Sequence, residues 1–318
     1  MIASPDWPEL NYHAWKDTCS TLHLWTQIVG KIRLAQTPWL NHSWHVPLYV
    51  TAKGLTSSPI PHGSRYFEMQ FDFNARVLDI GVSDGTGRQL ALVPQSVAEF
   101  YGAVMTALAD LGVPVVISDY PCEIPGAIAF GKNRAQFAFD AEAARRFGCA
   151  LRQADRVLKQ FRSAFIGKCS PVHFFWGSFD LAVTRFSGRK APPNNLRLPG
   201  MSVEIMREAY SHEVSSAGFW PGGGGIDYPS FYSYAYPPPA GFPEAEVRPA
   251  GAFFSKAMGE FLLPYETVRN ASNPDACLLT FLQSTYEAAA RCADWDRAAL
   301  ECSPGRPKVP RSIAGEGW

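Results

Sequence analysis

The sequence predicts an α+β protein, in which helices cover a mixed or antiparallel sheet mainly on one side. Two observations lead to this fold class. Amphipathic segments with helix caps recur along the chain, and segments that alternate polar and apolar side chains lie between them. Neither a G-x-G-x-x-G motif nor a G-x-x-x-x-G-K-[ST] motif is present, which leaves dinucleotide-binding and P-loop folds without support.

Apolar stripes at three- and four-residue spacing predict three helices. They cover residues 97–111, residues 141–165 and a segment that begins at Pro274. Each helix has a recognisable start, namely a capping box at Ser96 and Glu99, a cap at Asp140, and Asn273 followed by proline. The basic side chains of the second helix are assigned to its solvated side.

The clearest strand pattern lies in residues 67–73, where apolar and polar side chains alternate strictly. Residues 77–82 continue it after a short turn, so the two segments predict an antiparallel hairpin with one buried face. Glu68 and Asp72 are four residues apart, about 13 Å along a strand, which is too far for two carboxyls to share a proton. These acids are therefore assigned to a solvated sheet face.

A weak internal duplication relates two parts of the chain. Residues 28–31 resemble residues 165–168, and residues 48–51 resemble residues 181–184. The matches predict two similar halves with a pseudo-two-fold axis and a central cleft. Chance similarity between two α+β segments explains the same matches.

The duplication also suggests where the parts of the chain begin and end. The predicted N-terminal α+β half covers residues 1–140, and the C-terminal half covers residues 141–302 and packs with it as one compact unit. Residues 303–318 are rich in proline and glycine and are predicted to form a mobile tail.

Charge and composition exclude several classes of partner. The 318 residues include 29 basic and 29 acidic side chains, so no net charge attracts nucleic acid or an anionic membrane. Seven cysteines without a C-x-x-C pair fit neither a disulfide framework nor a zinc ribbon, and a reducing cytosol is the simplest location. We find no signal peptide and no apolar run long enough to span a membrane.

Residues 171–189 are the first segment that predicts a ligand site. As one strand, they place Trp176, Ser178 and Asp180 on one face and His173 and Arg185 on the other. Aromatic and polar residues on the same face suit the wall of a pocket. A buried central strand, whose polar atoms pair with neighbouring loops, explains the pattern about equally well.

A second unusual segment covers residues 211–237. Four glycines follow Trp220 and Pro221, and they predict a flexible loop that closes over a ligand or lets the backbone approach one. Tyr232, Tyr234 and Tyr236 share one strand face and offer rings and hydroxyls. The alternative is a packed tyrosine face followed by a surface loop.

These runs carry a resemblance to a known family. HFFWGSFDLAVTRFSGR, SHEVSSAGFWPG and FYSYAYP, with TLHLWTQIVGKIRLAQTPWLNHSWHVPLYVTAKGL near the N-terminus, resemble an uncharacterised bacterial family, domain of unknown function 5996. The similarity covers nearly all of the chain up to the tail. It implies family membership and a bacterial origin, and it brings no activity, cofactor or catalytic residue.

Two histidines near the N-terminus, His42 and His45, offer a possible metal pair. Pro47 and the strand pattern that follows it favour an extended segment, in which the two rings face opposite ways. The duplication places His45 opposite Ser178 and Tyr49 opposite Ala182. It thus predicts that His45, Tyr49, Trp176, Ser178 and Asp180 converge on one cavity.

The leading functional hypothesis is a pocket for a small, partly aromatic or apolar molecule, with acid–base chemistry by histidine and aspartate. No motif identifies a cofactor. The catalytic candidates are His173, Asp180, His45 and Ser178. The candidates for ligand contacts are Trp176, Arg185, Arg189, Tyr49, Trp220, Tyr232 and Tyr234.

Two alternatives remain open at this point. The first is a non-enzymatic scaffold that binds another protein through the Tyr-, Pro- and Gly-rich residues 219–243, which burial of the aromatic side chains distinguishes from a pocket. The second is a metal enzyme that uses His42, His45, His173 or His212.

Overall fold

The computed structural model describes residues 6–310, and its elements follow the order helix, sheet, helix twice. The first half contains α1 (Tyr12–Gln36), β1 (Tyr49–Val50), β2 (Gly54–Thr56), β3 (Ile60–His62), β4 (Arg65–Asp72), β5 (Val77–Val82), β6 (Gly87–Ala91), β7 (Gln95–Ser96), α2 (Val97–Asp110) and β8 (Gln136–Phe137). The second half contains α3 (Ala141–Arg162), β9 (His173–Phe175), β10 (Asp180–Lys190), α4 (Val203–Ala209), β11 (His212–Trp220), β12 (Ser230–Tyr236), β13 (Phe253–Ser255), β14 (Glu260–Pro264), α5 (Tyr265–Arg269), α6 (Pro274–Cys292) and α7 (Arg297–Leu300).

All strand pairs in the two large sheets are antiparallel. The first sheet has the order β1-β2-β4-β5-β6, with β3 paired to β4, and the second has the order β13-β14-β12-β11-β10-β9. A short ladder of β7 and β8 stands apart from both. The predicted α+β fold with an antiparallel sheet is confirmed.

The two sheets meet edge to edge at one residue pair. Leu48 and Phe174 exchange backbone hydrogen bonds, with N···O distances of 2.8 and 2.7 Å. A single hydrophobic core continues from one half into the other. α3 and α6 pack against each other and against the second sheet, and α3 also contacts β1 and β2 of the first.

The order of elements agrees with the prediction of two similar halves, but the detailed alignment does not. β1 and β9 occupy matching positions, because each is the edge strand at the junction. The sequence alignment instead placed residues 48–51 opposite residues 181–184, which lie in β10, one strand further along. A duplication and a cleft between the halves therefore stay predictions.

The three predicted helices begin where their caps indicated. The Ser96 side chain accepts from Glu99 N, and the Glu99 carboxylate accepts from Ser96 N at 2.7 Å. Asp140 caps α3, and Asn273 caps α6 ahead of Pro274. α3 ends at Arg162 rather than Phe165, because Phe165 is extended and pairs with Glu301.

The longest helix, α1, was not predicted from sequence. It has 25 residues and is buried on most sides by α2, α3 and the sheet edges, so no clear polar face marks it. Its buried polar side chains include Thr21, Gln27 and Arg33. Neither α1 nor any other helix in residues 6–310 is both long and apolar enough to cross a membrane.

The prediction of one strand over residues 171–189 is wrong. β9 ends at Phe175, a tight turn covers residues 176–179, and β10 starts at Asp180 in the opposite direction. Phe179 adopts a positive φ of 61°, which reverses the chain. His173 pairs with Ala182 and Phe175 pairs with Asp180, so His173 and Asp180 share a face that the sequence pattern had separated.

The described part of the predicted tail, residues 303–310, is exposed. Gly305 N donates to Ser163 Oγ at 3.1 Å and so keeps this stretch beside the end of α3. The rest of the predicted tail lies outside the described residues.

Candidate functional site

The polar face of the second sheet is the best-developed candidate site. Cross-strand register aligns Thr184, Ser216 and Tyr234 in one row and Ala182, Gly218 and Tyr232 in the next. Paired residues share a face, so both rows lie on one side of the sheet. Arg185, on the opposite side, contacts Phe161 of α3 and Tyr286 of α6, so the two rows lie on the side away from these helices. We call this side the outer face.

Asp180, the first residue of β10, lies at one end of the outer face. Its side chain is buried and accepts hydrogen bonds from the Ser178 hydroxyl and from the Tyr232 hydroxyl, one on each carboxylate oxygen. Burial raises the pKa of Asp180, and the two hydrogen bonds oppose that rise. The structure thus brings together three residues that the sequence singled out.

Glycine at position 218 allows Tyr232 to reach Asp180. Tyr232 lies on β12 and Asp180 on β10, with β11 between them. A Cβ atom on Gly218 would lie 2.5 Å from the Tyr232 hydroxyl, so the phenol lies flat over the β11 backbone. Burial, followed by the charge of Asp180, raises the pKa of Tyr232 well above 10.0, which keeps it a hydrogen-bond donor.

A chain of hydroxyl groups continues from Tyr234. Its hydroxyl lies 2.9 Å from that of Tyr210, which follows α4, and it also bonds Ser216. Ser216 Oγ lies 2.9 Å from Thr184 Oγ1. The rings of Tyr232 and Tyr234 stack at 6.1 Å between centroids with an interplanar angle of 16°.

Two further carboxylates, those of Glu123 and Glu260, lie near enough to Asp180 for its charge to act on them. Glu123 belongs to the loop after α2, and its carboxylate lies so close to Gly177 that a Cβ there would overlap it. Glu260 is the first residue of β14. Burial, and then the charge of Asp180, raises the pKa of Glu123 to about 7 and that of Glu260 to about 7. We call Asp180, Glu123 and Glu260 the acid cluster.

The acid cluster has no basic partner. Within residues 6–310, none of its three carboxylates forms an ion pair with lysine, arginine or histidine. The backbone around Glu123 is strained, with a positive φ of 61°, and its N–H donates to Pro199 O at 2.7 Å. Three carboxylates without an ion-pair partner are therefore partly shielded from water, and burial opposes their ionisation.

The predicted histidine–aspartate pair does not form. His173 is fully buried, with its ring 4.6 Å from that of Phe175 and 6.4 Å from that of Tyr49, and its Nδ1 has no partner. Burial first, and then Arg33 and Arg162, lower the pKa of His173 to about 3. A neutral ring held this firmly is a core residue and a poor acid–base catalyst at neutral pH.

His45, Tyr49 and Trp176 form no hydrogen bond with Asp180, whose side-chain partners are Ser178 and Tyr232. His45 Nδ1 accepts from Leu40 N at 3.2 Å, and Trp39 packs on the His45 ring at 4.6 Å. Trp176 Nε1 donates to a backbone carbonyl at 2.8 Å. Of the five residues predicted to converge, Ser178 and Asp180 make direct contact. Trp176 does not join them, because the turn after β9 directs its ring towards Gly30 of α1.

The two arginines proposed as anion contacts have structural roles. Arg185 is fully buried on the face opposite Asp180, with Cζ 3.5 Å from the Phe161 ring centroid and 4.3 Å from that of Tyr286. It cannot meet a ligand on the outer face. Arg189 pairs with Glu213 on β11 at 2.7 Å, which occupies its guanidinium.

The glycine-rich loop is a tight turn. Gly222, Gly223, Gly224 and Gly225 all have positive φ, and Gly223 and Ile226 exchange backbone hydrogen bonds at 2.8 and 2.9 Å. Gly224 lies against Trp220, which is half-buried. These glycines are needed for backbone conformation, and a closing lid stays a prediction.

Burial of the aromatics in residues 219–243 bears on the scaffold alternative. Of the eight aromatic side chains there, Tyr228 is the exposed one at 39%, and the others are buried or half-buried. The segment therefore presents no flat exposed aromatic patch.

Within residues 6–310, no group of three or more His, Cys, Asp or Glu side chains is placed to hold a metal ion.

Sequence reasoning missed Glu123, Glu260 and Tyr210. Glu260 has a signal, since it starts an apolar strand, whereas Glu123 comes from an irregular loop with none.

Comparisons with known proteins identify a family but no activity. No curated protein and no solved structure matches the chain. A family model described as "Family of unknown function (DUF5996)" matches residues 7–302. Since this match covers nearly the whole chain, the protein belongs to the DUF5996 family of unknown function.

Proposed function

We propose that the protein binds a small organic cation, an amine or a quaternary ammonium, on the outer face of the second sheet. The acid cluster would receive the positive charge, and the rings of Tyr210, Tyr232 and Tyr234 would line the site. The observation that carries the proposal is a buried carboxylate, Asp180, whose charge acts on Glu123 and Glu260, with no ion-pair partner for any of the three, beside the hydroxyls of three tyrosines.

Electrostatics explain why a cation fits. A carboxylate removed from water without a partner is unfavourable, and mutual repulsion adds to that cost. A bound cation would offset both effects. Tyrosine rings attract cations to their faces, so the stacked pair Tyr232 and Tyr234 favours an organic cation with apolar substituents.

The arrangement of donors favours an organic cation over a metal ion. In the described part of the chain, the three carboxylates are not close enough together to act as one set of metal ligands. An amine with a hydrocarbon body can span more widely spaced charges and contact the rings between them.

The same site offers proton chemistry. Glu123 and Glu260 have pKa values raised to about 7, so each can gain or lose a proton near neutral pH, whereas burial raises the pKa of Asp180 and the hydrogen bonds from Ser178 and Tyr232 oppose that rise. We propose that any reaction on the bound amine uses one of the two glutamates as acid or base. His173 and His45 have no part in it.

Isothermal titration calorimetry of the full-length protein with tetramethylammonium and with benzylamine tests the proposal. We expect saturable binding that strengthens between about pH 6 and about pH 8, as Glu123 and Glu260 lose their protons. Asp180→Asn and Glu123→Gln should weaken binding, and Asp110→Asn, a change at an exposed and remote acid, should not. The proposal is refuted if neither probe binds, or if Asp180→Asn binds the probes as tightly as the parent protein does.

The location of the protein stays a prediction. All seven cysteines are free, which supports a reducing compartment such as the cytosol. Cys19 and Cys122 are buried, so thiols must be blocked under denaturing, non-reducing conditions directly at lysis of the native host; seven labelled cysteines per chain are expected if this prediction is right.

A further inference from the structure

A second group of chemically active side chains lies at the opposite end of β10 from Asp180. It surrounds Phe186, which is six residues further along the strand, about 20 Å away. The acid cluster is therefore a separate site. The members of the second group are Lys168, His42, Glu208, His212, Trp44 and Phe186.

Lys168 holds its amino group in a defined position. Its Nζ lies 2.6 Å from His42 Nε2 and over the rings of Trp44 and Phe186, at 5.4 and 4.9 Å from their centroids. Phe186 N donates to Lys168 O at 3.0 Å and fixes the backbone. Lys168 as a whole is exposed, and it forms no ion pair with a carboxylate within residues 6–310.

The hydrogen bonds of His42 determine its tautomer. Its Nδ1 lies 2.9 Å from Ala209 O, and a carbonyl oxygen can only accept, so Nδ1 carries the hydrogen. Nε2 then presents a lone pair to Lys168. His42 and Ser43 both have a positive φ of 57°, and His42 N donates to Glu208 Oε1 at 3.0 Å, which holds this strained turn in place.

Burial and neighbouring charges change the pKa values of both Lys168 and His42. Burial of the amino group lowers the pKa of Lys168, and the negative charge of Glu208 counteracts this. Burial also lowers the pKa of His42, and the charges of Lys168 and His212 add to that effect against the opposing influence of Ala209 O and Glu208, so its ring is neutral and Nε2 is unprotonated beside the amine. The His212 ring lies 6.0 Å from that of His42.

We propose that Lys168 is a nucleophilic lysine that forms a Schiff base with an aldehyde or ketone. The Lys168 ammonium first passes one proton to His42 Nε2, and its free electron pair then forms a bond to the carbonyl carbon. The carbonyl oxygen takes one proton from the attacking Nζ and the other back from His42, and it leaves as water as the protonated C=N bond forms. Trp44 and Phe186 provide apolar walls for the carbonyl compound.

Reductive trapping with acetaldehyde and sodium cyanoborohydride at about neutral pH tests the reactivity of Lys168. Peptide mapping by mass spectrometry of the intact, full-length protein gives the labelling rate of each lysine. Matched controls are Lys53 and Lys159, whose side chains are 60% and 58% exposed but paired with Asp72 and Asp155. We expect Lys168 to react about twofold faster or more than both controls, because burial lowers its pKa and no carboxylate pairs with it, so that more of its amine is unprotonated.

Equal or slower labelling of Lys168 than of both controls overturns the proposal without any variant. His42→Gln should reduce the rate at Lys168 towards that of the controls and leave Lys53 unchanged; an unchanged rate at Lys168 would remove the role of His42. Asp180→Asn should leave Lys168 labelling unaltered, so this test is independent of cation binding.

Discussion

The phenol of Tyr232 crosses β11 and donates a hydrogen bond to the carboxylate of Asp180 on β10. Only a residue without a side chain leaves room for this crossing, because a Cβ atom at Gly218 would lie 2.5 Å from the hydroxyl and would also meet the Leu181 carbonyl. The tyrosine and the aspartate thus depend on the composition of the strand between them.

We therefore expect Gly218→Ala to lower the free energy of unfolding by about 1–3 kcal/mol, the usual cost of forcing an atom into a packed site. Urea denaturation measures the change. Gly81→Ala is the matched control, since Gly81 also lies in a strand but has no atom within 4 Å of a new Cβ. Equal stability of the two variants would mean that Tyr232 can move aside freely.

Stability should decrease as pH rises through the range in which Glu123 and Glu260 ionise. The folded protein retains their protons up to about pH 7, whereas the unfolded chain releases them near 4.5. The favourable contribution is complete below 4.5 and is lost by about 7. Glu123→Gln and Glu260→Gln should each raise the free energy of unfolding at about pH 8 by roughly 2 kcal/mol and change it little at about pH 4.5.

Glu142→Gln is the control, because folding lowers the pKa of Glu142 and raises those of Glu123 and Glu260. A side-chain hydrogen bond from Arg145 lowers the pKa of Glu142, so its ionised form is favoured in the folded protein. The variant should not be more stable than the parent at alkaline pH. Chemical denaturation at several pH values measures all three variants, and stabilisation by Glu142→Gln would point to a general charge effect instead.

His173 should make the protein less stable in acid. Its pKa falls from 6.5 to about 3 on folding. Between these pH values the unfolded chain is protonated at this histidine and the folded chain is not, so stability decreases as the pH falls below 6.5. We expect His173→Phe to reduce the loss of stability between pH 7 and about pH 4.5 by roughly 2 kcal/mol. A histidine NMR resonance that disappears in this variant should not titrate above about pH 5; titration near 6.5 would contradict the buried, neutral ring.

Substitutions of Arg185 measure how much a buried cation contributes to the free energy of unfolding. Its Nε and Nη1 have no hydrogen-bond partner, and aromatic rings enclose the guanidinium. Arg185→Met should change stability by less than about 1.5 kcal/mol, because it keeps most of the volume and removes an unpaired charge. Arg185→Ala leaves a cavity and should cost about 3 kcal/mol or more in thermal denaturation. Equal losses would show that the charge itself is needed.

The parts of the fold that sequence predicted are those that local chemistry determines. The caps Ser96, Asp140 and Asn273 hydrogen-bond residues two or three positions away, so their signals are complete within a few residues. α1 has no such contrast between faces, because neighbouring elements bury it on most sides. The turn at Phe179 needs a positive φ at a residue type that gives no hint of it.

In the candidate site, too, the features that local sequence determines were predicted, and those that depend on distant packing were not. Tyr232 and Tyr234 follow from strand alternation, and so does their place on one face. Glu123 meets Asp180 through the packing of a loop 57 positions earlier in the chain, which no periodicity encodes. Arg185 was misassigned because alternation identifies opposite faces of a strand without indicating which one faces the core.

The bond pair between Leu48 and Phe174 has a practical consequence for dividing the chain. Cutting before α3 would leave β1 and β9 each with an unpaired edge beside an opened apolar core. Exposed edges of this kind recruit other strands. Fragments 1–140 and 141–318 produced separately should therefore be insoluble or bind each other, and co-expression of the two should recover a soluble, non-covalent heterodimer, as in split-protein complementation.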